Sequence, residues 1–196
     1  MGSMTYHVFL SFRGEDTRKT FTGHLYTALS GAGFHTFRDD DGIERGKNVK
    51  SELDKAIKEA RSSIVVLSKD YSSSGWCLDE LMMILERKRS SGAGHVVLPV
   101  FYDVDPSQVR KQTGSFGDAF CRHEERLNAE TNESKKEYLR KKVQLWRGAL
   151  REVADLAGMV LKNQADGEQK QLRASTLTCI MCWRKMVIMC WTQILG

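Results

Sequence analysis

The chain has no N-terminal apolar run of the kind that directs secretion, and its five cysteines are an odd number at irregular spacing. Small secreted domains that rely on disulfides carry paired cysteines, so this composition argues against that class. We therefore expect a reducing compartment, with the cytoplasm as the main location and the nucleus as a second one.

The sequence also lacks a large excess of charge of one sign, and it lacks an uninterrupted apolar run long enough to span a membrane. There are 30 Lys and Arg against 25 Asp and Glu, for a net charge of +5. This mildly basic balance is compatible with phosphate-bearing ligands and falls short of a dedicated nucleic-acid binder. The apolar stretch 174–191 carries Arg184 and Lys185 near its middle, and Tyr6 replaces the Ser or Thr of a myristoylation signal. We therefore expect no membrane partner.

What the sequence does contain is a regular alternation of short apolar runs and helical patterns. Helices are recognised by apolar residues at 3.6-residue spacing, and buried strands by short continuous apolar runs. The pattern predicts strands at 6–11, 34–37, 63–68 and 95–102, and helices at 17–32, 48–60, 76–89, 116–127 and 138–156. A fifth strand is not clear, and a short one could lie near Val109 or between the last two of these helices.

This order of elements predicts an α/β fold, a parallel sheet of four to five strands with helices on both faces. Ligands of such sheets bind at the carboxyl ends of the strands. The loops with the most polar chemistry follow Ser11, Phe37 and Ser68, so all three belong to that edge. The sequence therefore predicts a site there.

The stretch 73–81, SSGWCLDEL, is the strongest candidate within that site. Trp76 and Glu80 are four residues apart, so on a helix they share a face. An aromatic ring beside a carboxylate suits a sugar and an aromatic base. The alternative is a solvated acid in the first turn of a helix, where the macrodipole favours negative charge.

Ordered motifs across residues 5–165 resemble the plant Toll/interleukin-1 receptor (TIR) domain family. The matching segments are VFLSFRGEDTR at 8–18, FRDD at 37–40, RG at 45–46, SGWCLDEL at 74–81, LPVFYDVDPS at 98–107, GSF at 114–116 and WRGAL at 146–150. The resemblance implies a flavodoxin-like fold, a role in innate immunity and cell death, and cleavage of NAD+ at the nicotinamide–ribose bond on self-association.

The resemblance also implies roles for individual residues. The catalytic glutamate falls on Glu80, and no metal or cofactor is required, with NAD+ as substrate and NADP+ as an alternative. The substrate-binding positions are Arg13, Gly14, Glu15, Asp16, Thr17, Arg18, Gly46, Ser74 and Trp76, and those for self-association are His24, Asp39, Asp40 and Lys47. The family has a Ser-His pair in the first helix, where this chain has Gly23-His24, so we expect a weaker helix-to-helix interface.

Simpler interpretations of these residues remain open. Arg13 and Arg18 suit a pyrophosphate, and the alternative is a solvated loop or a salt bridge with Glu15 or Asp16. Trp76 would flank the nicotinamide riboside, or it is a structural ring beneath the loop.

One carboxylate is enough for the implied reaction. Nicotinamide leaves a pyridinium as a neutral molecule, so the second carboxylate that protonates the leaving group of ordinary glycosidases is not needed. Glu80, ionised, would hold the ribose hydroxyls and stabilise the developing positive charge.

The chain divides into an N-terminal extension at 1–4, a TIR domain at 5–167 and an atypical apolar tail at 168–196. We expect the tail to be disordered or loosely packed, and deletion of residues 169–196 to leave activity intact. Cys179 and Cys182 have metal-ligand spacing, but no second pair completes a zinc site.

Three functions compete. The first is an NAD+ hydrolase or cyclase whose nucleotide products reach downstream lipase-like immune signalling proteins. The second is a non-catalytic adaptor or decoy that binds other TIR domains through His24 and the loop 39–47. The third, synthesis of 2',3'-cyclic nucleotides from nucleic acid, predicts strongly salt-dependent DNA or RNA binding.

Overall fold

The computed structural model describes residues 5–38, 47–91, 94–162 and 168–195, which fold as an α/β structure around one sheet. The strands are β1 (Tyr6–Phe12), β2 (Thr36–Arg38), β3 (Ala60–Leu67), β4 (Val96–Tyr102) and β5 (Met159–Leu161). The helices are α1 (Gly14–Thr17), α2 (Phe21–Gly31), α3 (Lys47–Glu59), α4 (Gly75–Ser90), α5 (Pro106–Lys111), α6 (Ser115–Ala129), α7 (Glu133–Asp155) and α8 (Glu168–Leu195), with a 3₁₀ turn at Tyr71–Ser73.

The five strands are parallel and lie in the order β2-β1-β3-β4-β5. The predicted α/β class and flavodoxin-like arrangement are confirmed, including the helices on both faces. Strand β3 lies at the centre with β4 beside it, and both are buried almost throughout, because each is covered by helices on both sides.

Side chains of each strand alternate between two apolar cores. Phe9, Val65 and Phe101 point to the first core, which is completed by α3, α4, α6 and α7. Val8 and Leu10 point to the second core, which is completed by α2 and α8. This alternation follows from the two-residue period of a strand, so both faces of the sheet need helical cover.

The fifth strand lies at neither of the two places considered from the sequence. Val109 is on α5, and β5 follows α7, where it pairs with β4 through Val100 and Met159. Strand β5 has only three residues, which are too few to show the alternation of buried and exposed side chains that identifies a strand in a sequence. Helix α7 also begins earlier than predicted, at Glu133, because the Asn132 side chain accepts a hydrogen bond from the Lys135 N–H at 3.0 Å.

The structure differs most from expectation in the tail. Helix α8 packs against α2 and β4, and the side chains of Thr176, Cys179, Ile180 and Trp183 are buried in or beside the second core. Cys179 is a fully buried core residue, and this burial raises the pKa of its thiol to about 12. The described tail is therefore a packed helix, in contrast to the disordered or loosely packed segment expected.

Gly23 is fixed by a close backbone approach at the start of α2. A Cβ atom at this position would lie 2.4 Å from the carbonyl oxygen of Arg18, which no ordinary contact allows. Any side chain at this position, including the Ser of the family, would therefore require the local backbone to shift.

We expect Gly23→Ala to lower the free energy of unfolding by about 1–3 kcal/mol, since backbone must move to relieve the overlap. The matched control is Gly31→Ala in the same helix, where a Cβ meets nothing within 4 Å. Urea unfolding of both variants checks this; equal stability of the two would show that α2 shifts without cost.

His95 is a buried neutral histidine at the start of β4. Its Nδ1 lies 3.1 Å from the carbonyl oxygen of Ala60, so Nδ1–H donates there and Nε2 accepts from the Ser63 hydroxyl at 3.0 Å. Burial, aided by the charge of Arg87, lowers the pKa of His95 from 6.5 to about 4.

A histidine whose folded pKa is lowered stabilises the fold fully above pH 6.5 and loses that contribution as the pH falls towards 4. By pH 4 we expect a loss of about 3 kcal/mol from this group. Urea unfolding across this range should show a steeper loss for the wild type than for His95→Gln. Parallel curves would contradict this.

Candidate functional site

The candidate site lies at the carboxyl ends of β1 and β3. The chain runs from β1 to β2 on one side and returns to β3 on the other, so these neighbouring strands flank the switch point of the sheet. Ser11 lies near the end of β1 and Ser68 directly follows β3. Open α/β sheets bind ligands in the crevice that such a reversal creates.

Glu80 reaches this edge from helix α4. It is the sixth residue of the helix, its side chain is 2% exposed, and its Oε2 accepts a hydrogen bond from the Ser11 hydroxyl at 2.8 Å. The alternative of a solvated first-turn acid is therefore wrong, and α4 has no acid in its first turn. Burial of this carboxyl against a strand end makes it a candidate for chemistry.

Tyr71 adds a second hydroxyl group to the hydrogen bond between Ser11 and Glu80. Its hydroxyl lies 2.9 Å from Ser11 Oγ and donates to the carbonyl oxygen of Cys77 at 3.0 Å. Complete burial, with Cys77 and Glu80 nearby, raises the pKa of Tyr71 well above its ordinary value. Tyr71 thus stays a neutral hydroxyl donor.

The first loop is tied to both strand ends. Asp16 accepts from the Ser68 hydroxyl at 2.5 Å and from the Asp70 N–H at 3.0 Å, which joins the loop after β1 to the loop after β3. Arg13 forms ion pairs with Glu15 and with Asp16. The salt-bridge alternative for Arg13 is therefore present in the structure.

The other residues of this loop have structural contacts as well. The Arg18 guanidinium lies 5.8 Å from the centre of the Phe12 ring. Thr17 is buried, and its hydroxyl accepts from Thr22 at 2.7 Å. Gly14 begins α1. The loop thus packs across the carboxyl end of β1, as the sequence predicted for its position.

Ser74 and Trp76 are placed by the start of α4. Ser74 is the N-cap, because its hydroxyl accepts from the Cys77 N–H at 3.3 Å. Trp76 is half-buried and packs against the first core. Both interpretations of Trp76, as a structural ring or as a substrate contact, are compatible with that position.

The residues predicted for self-association are only partly described. His24 is exposed on α2, and Lys47 begins α3. Asp39, Asp40 and Gly46 lie outside the described residues.

Sequence reasoning missed Ser11 and Tyr71, and it also missed the role of Asp79, the carboxylate next to Glu80 on α4. Asp79 accepts from the Trp146 indole N–H at 2.9 Å and from Lys142 Nζ at 2.7 Å, which ties α4 to α7. Ser11 carries one usable signal, since a polar residue in an apolar strand needs a buried partner. The partner itself is 69 positions away, so no local pattern identifies it.

Two adjoining clefts lie between α4 and α7, and Asp79 lines one of them. They share Met82, Glu86 and Leu145 in their walls. Within the described ranges no group of three or more His, Cys, Asp or Glu side chains is arranged to hold a metal ion. None of the helices described combines the length and hydrophobicity that a bilayer span requires.

Comparison with known proteins finds a matching family model and several similar chains. The family model described as "TIR domain" matches residues 5–173. Disease resistance protein RUN1 of Vitis rotundifolia is 47% identical over 184 residues, which cover 93% of this chain and 13% of that protein. TMV resistance protein N of Nicotiana glutinosa is 48% identical over 154 residues, covering 79% and 12%. The chain thus spans about an eighth of the length of these relatives.

A solved structure also matches most of the chain. The TIR domains in the structure of the activated Roq1 resistosome, which directly recognizes the pathogen effector XopQ, are 49% identical. The match covers 86% of this chain and 96% of that one, with a TM-score of 0.70.

Proposed function

The chain belongs to the TIR domain family, and we propose that it cleaves NAD+ at the nicotinamide–ribose bond when it self-associates. The activity is that of an NAD+ nucleosidase, a hydrolase or cyclase whose products signal in plant innate immunity and cell death. The similarity to plant disease resistance proteins supports the biological setting.

The observation that carries this proposal is the position of Glu80. Its carboxyl group lies at the switch point of the sheet, held by a hydroxyl from the end of β1. The carboxylate is carried by a helix and its hydrogen-bond donor by a strand. Because neither element is a loop, the position of the negative charge is well defined.

The chemistry needs one such group. As the bond to nicotinamide lengthens, positive charge develops on the ribose and the pyridinium becomes neutral nicotinamide. Glu80 would stabilise that charge and hold the ribose hydroxyls, without proton transfer to the leaving group. Transition-state stabilisation of this kind is worth a few kcal/mol per well-placed group.

The remaining substrate contacts are proposed around this carboxyl. Arg13 and Arg18 would meet the pyrophosphate, for which guanidinium geometry is suited. Trp76 would flank the nicotinamide riboside. The other proposed contacts are Gly14, Glu15, Asp16, Thr17, Gly46 and Ser74. No cofactor takes part, and NADP+ is an alternative substrate.

Self-association is proposed as the control of this site. In a single copy Glu80 is 2% exposed, so substrate access requires a rearrangement that a neighbouring copy can stabilise. His24, Asp39, Asp40 and Lys47 are the proposed contacts between copies. A match to TIR domains in a resistosome supports assembly as the active form, with lipase-like immune signalling proteins downstream.

The experiment follows nicotinamide release from NAD+ over a wide range of protein concentrations, with and without a crowding agent. We expect the rate per protomer to rise steeply as the oligomer forms, measured beside light scattering. Oligomer formation without nicotinamide release under any condition would overturn the proposal.

That outcome would favour a non-catalytic adaptor that binds other TIR domains. One observation favours this second function. Glu80 is enclosed in the single copy, while His24 is exposed on the surface of α2. An adaptor would form mixed oligomers with another TIR domain and leave the NAD+ concentration unchanged.

A further inference from the structure

We propose that Ser11 and Tyr71 are positioning residues for Glu80, a buried hydroxyl pair that holds its carboxylate in the orientation that the reaction uses. This inference rests on the proposed NAD+ cleavage. It adds two residues that would act through Glu80 without touching the substrate.

The three side chains form one continuous hydrogen-bonded chain. Ser11 Oγ lies 2.8 Å from Glu80 Oε2 and 2.9 Å from the Tyr71 hydroxyl oxygen, which lies 3.0 Å from the Cys77 carbonyl oxygen. Ser11 and Tyr71 are fully buried, and Glu80 is 2% exposed. Bulk water therefore does not compete for these hydrogen bonds, which strengthens each of them.

Proton counting fixes the direction of the chain. An ionised carboxylate only accepts, so Ser11 donates its single proton to Glu80. The contact between Ser11 and Tyr71 then requires the proton of Tyr71, which is shared between Ser11 Oγ and the Cys77 carbonyl. Ser11 therefore orients its positive end towards the carboxylate, and Tyr71 supports Ser11 whenever its proton lies on the Ser11 side.

Each group comes from a different element with a fixed backbone. Ser11 is on β1, Tyr71 is in the 3₁₀ turn after β3, and Glu80 is on α4. Cys77 closes the arrangement from α4, with its thiol 3.6 Å from the Phe12 carbonyl oxygen. Tyr71 and Cys77 are titratable side chains that belong to the same cluster as Glu80. Support from rigid elements is what keeps a reacting group within a fraction of an ångström of its productive position.

Ser63 provides a matched control. It is also a fully buried strand serine, and it hydrogen-bonds to His95 and not to a carboxylate. Ser11→Ala and Ser63→Ala remove the same atom from neighbouring strands of the sheet. A general loss of stability affects both variants, whereas loss of carboxylate orientation affects only the first.

The kinetic test uses the full chain in its assembled form with NAD+. We expect Ser11→Ala to lower kcat by about tenfold to a hundredfold with KM changed less than about threefold, because the interaction acts in the transition state. Tyr71→Phe, which removes one oxygen atom, should lower kcat several-fold. Ser63→Ala should retain the wild-type kcat. A wild-type kcat in Ser11→Ala, or an equal loss in Ser63→Ala, would overturn the inference.

The second test does not depend on activity. Carboxyl carbon NMR of protein labelled at Glu follows the titration of Glu80 in the wild type, Ser11→Ala, Tyr71→Phe and Ser63→Ala. Loss of a donor to the charged form disfavours that form, so the titration midpoint should move to higher pH in Ser11→Ala and Tyr71→Phe only. Unchanged midpoints in both would contradict the positioning role. The two proposals can fail separately. If the titration midpoints shift in Ser11→Ala and Tyr71→Phe but the wild-type protein releases no nicotinamide, the proposed function is refuted and the hydrogen-bonded chain is supported.

Discussion

We expect Glu80→Gln to lower the rate of nicotinamide release by at least about a hundredfold, while the protein remains folded and able to assemble. Gln has the shape of Glu and its side-chain oxygen can still accept from Ser11, so packing at the end of β1 is preserved. The change removes the negative charge that would stabilise the ribose cation. Loss of one such electrostatic group costs about 10²–10³ in kcat in other enzymes.

Asp79→Asn is the matched control for this prediction. Asp79 precedes Glu80 on the same helix but faces α7, where it pairs with Lys142 and Trp146. The substituted amide loses the ion pair and can keep the contact to the indole, so stability falls modestly and activity is retained. Equal nicotinamide release from Glu80→Gln and the wild type would remove Glu80 from its proposed role.

Trp183→Ala is the second large effect, and it concerns stability. Trp183 is 3% exposed, its ring meets Phe34 edge to face at 4.7 Å between centroids, and its indole N–H donates to Ser62 Oγ at 2.8 Å. Truncation of a buried Trp leaves a cavity in the second core and removes this hydrogen bond. We expect the free energy of unfolding to fall by about 3–5 kcal/mol, measured by urea denaturation.

Met181→Ala is the control in the same helix, because Met181 is 71% exposed. Its effect should stay within about 0.5 kcal/mol. Because α8 completes the second core, deletion of residues 169–196 should unfold the domain or strongly lower its Tm, contrary to the expectation from sequence that activity survives. A truncated protein with wild-type Tm would show that α8 does not support the sheet.

The parallel sheet could be predicted from sequence because its signal is local. Continuous apolar runs mark β3 and β4, and helical spacing marks the crossovers between strands. The tail could not be predicted in this way. Helix α8 has apolar residues on its buried face, such as Cys179, and on its exposed face, such as Met181, so its sequence shows no face that must be covered.

The candidate site was predictable in its position and only partly in its contacts. The loop after β1 and the acid of α4 were placed at the correct edge, since carboxyl ends of parallel strands share one edge. The enclosure of Glu80 was not predicted, because it depends on Ser11 and Tyr71, which come from other parts of the chain. Such long-range partners follow from strand order and not from residue spacing.

We propose that NAD+ is cleaved at Glu80, at the carboxyl ends of β1 and β3. The most direct measurement is a structure of the assembled protein with a non-hydrolysable carbocyclic NAD+ analogue. We expect the ring that replaces the ribose to lie within hydrogen-bonding distance, about 3 Å, of the Glu80 carboxylate. An analogue bound elsewhere, such as in the clefts between α4 and α7, with Glu80 still buried and out of contact with it, would contradict this proposal.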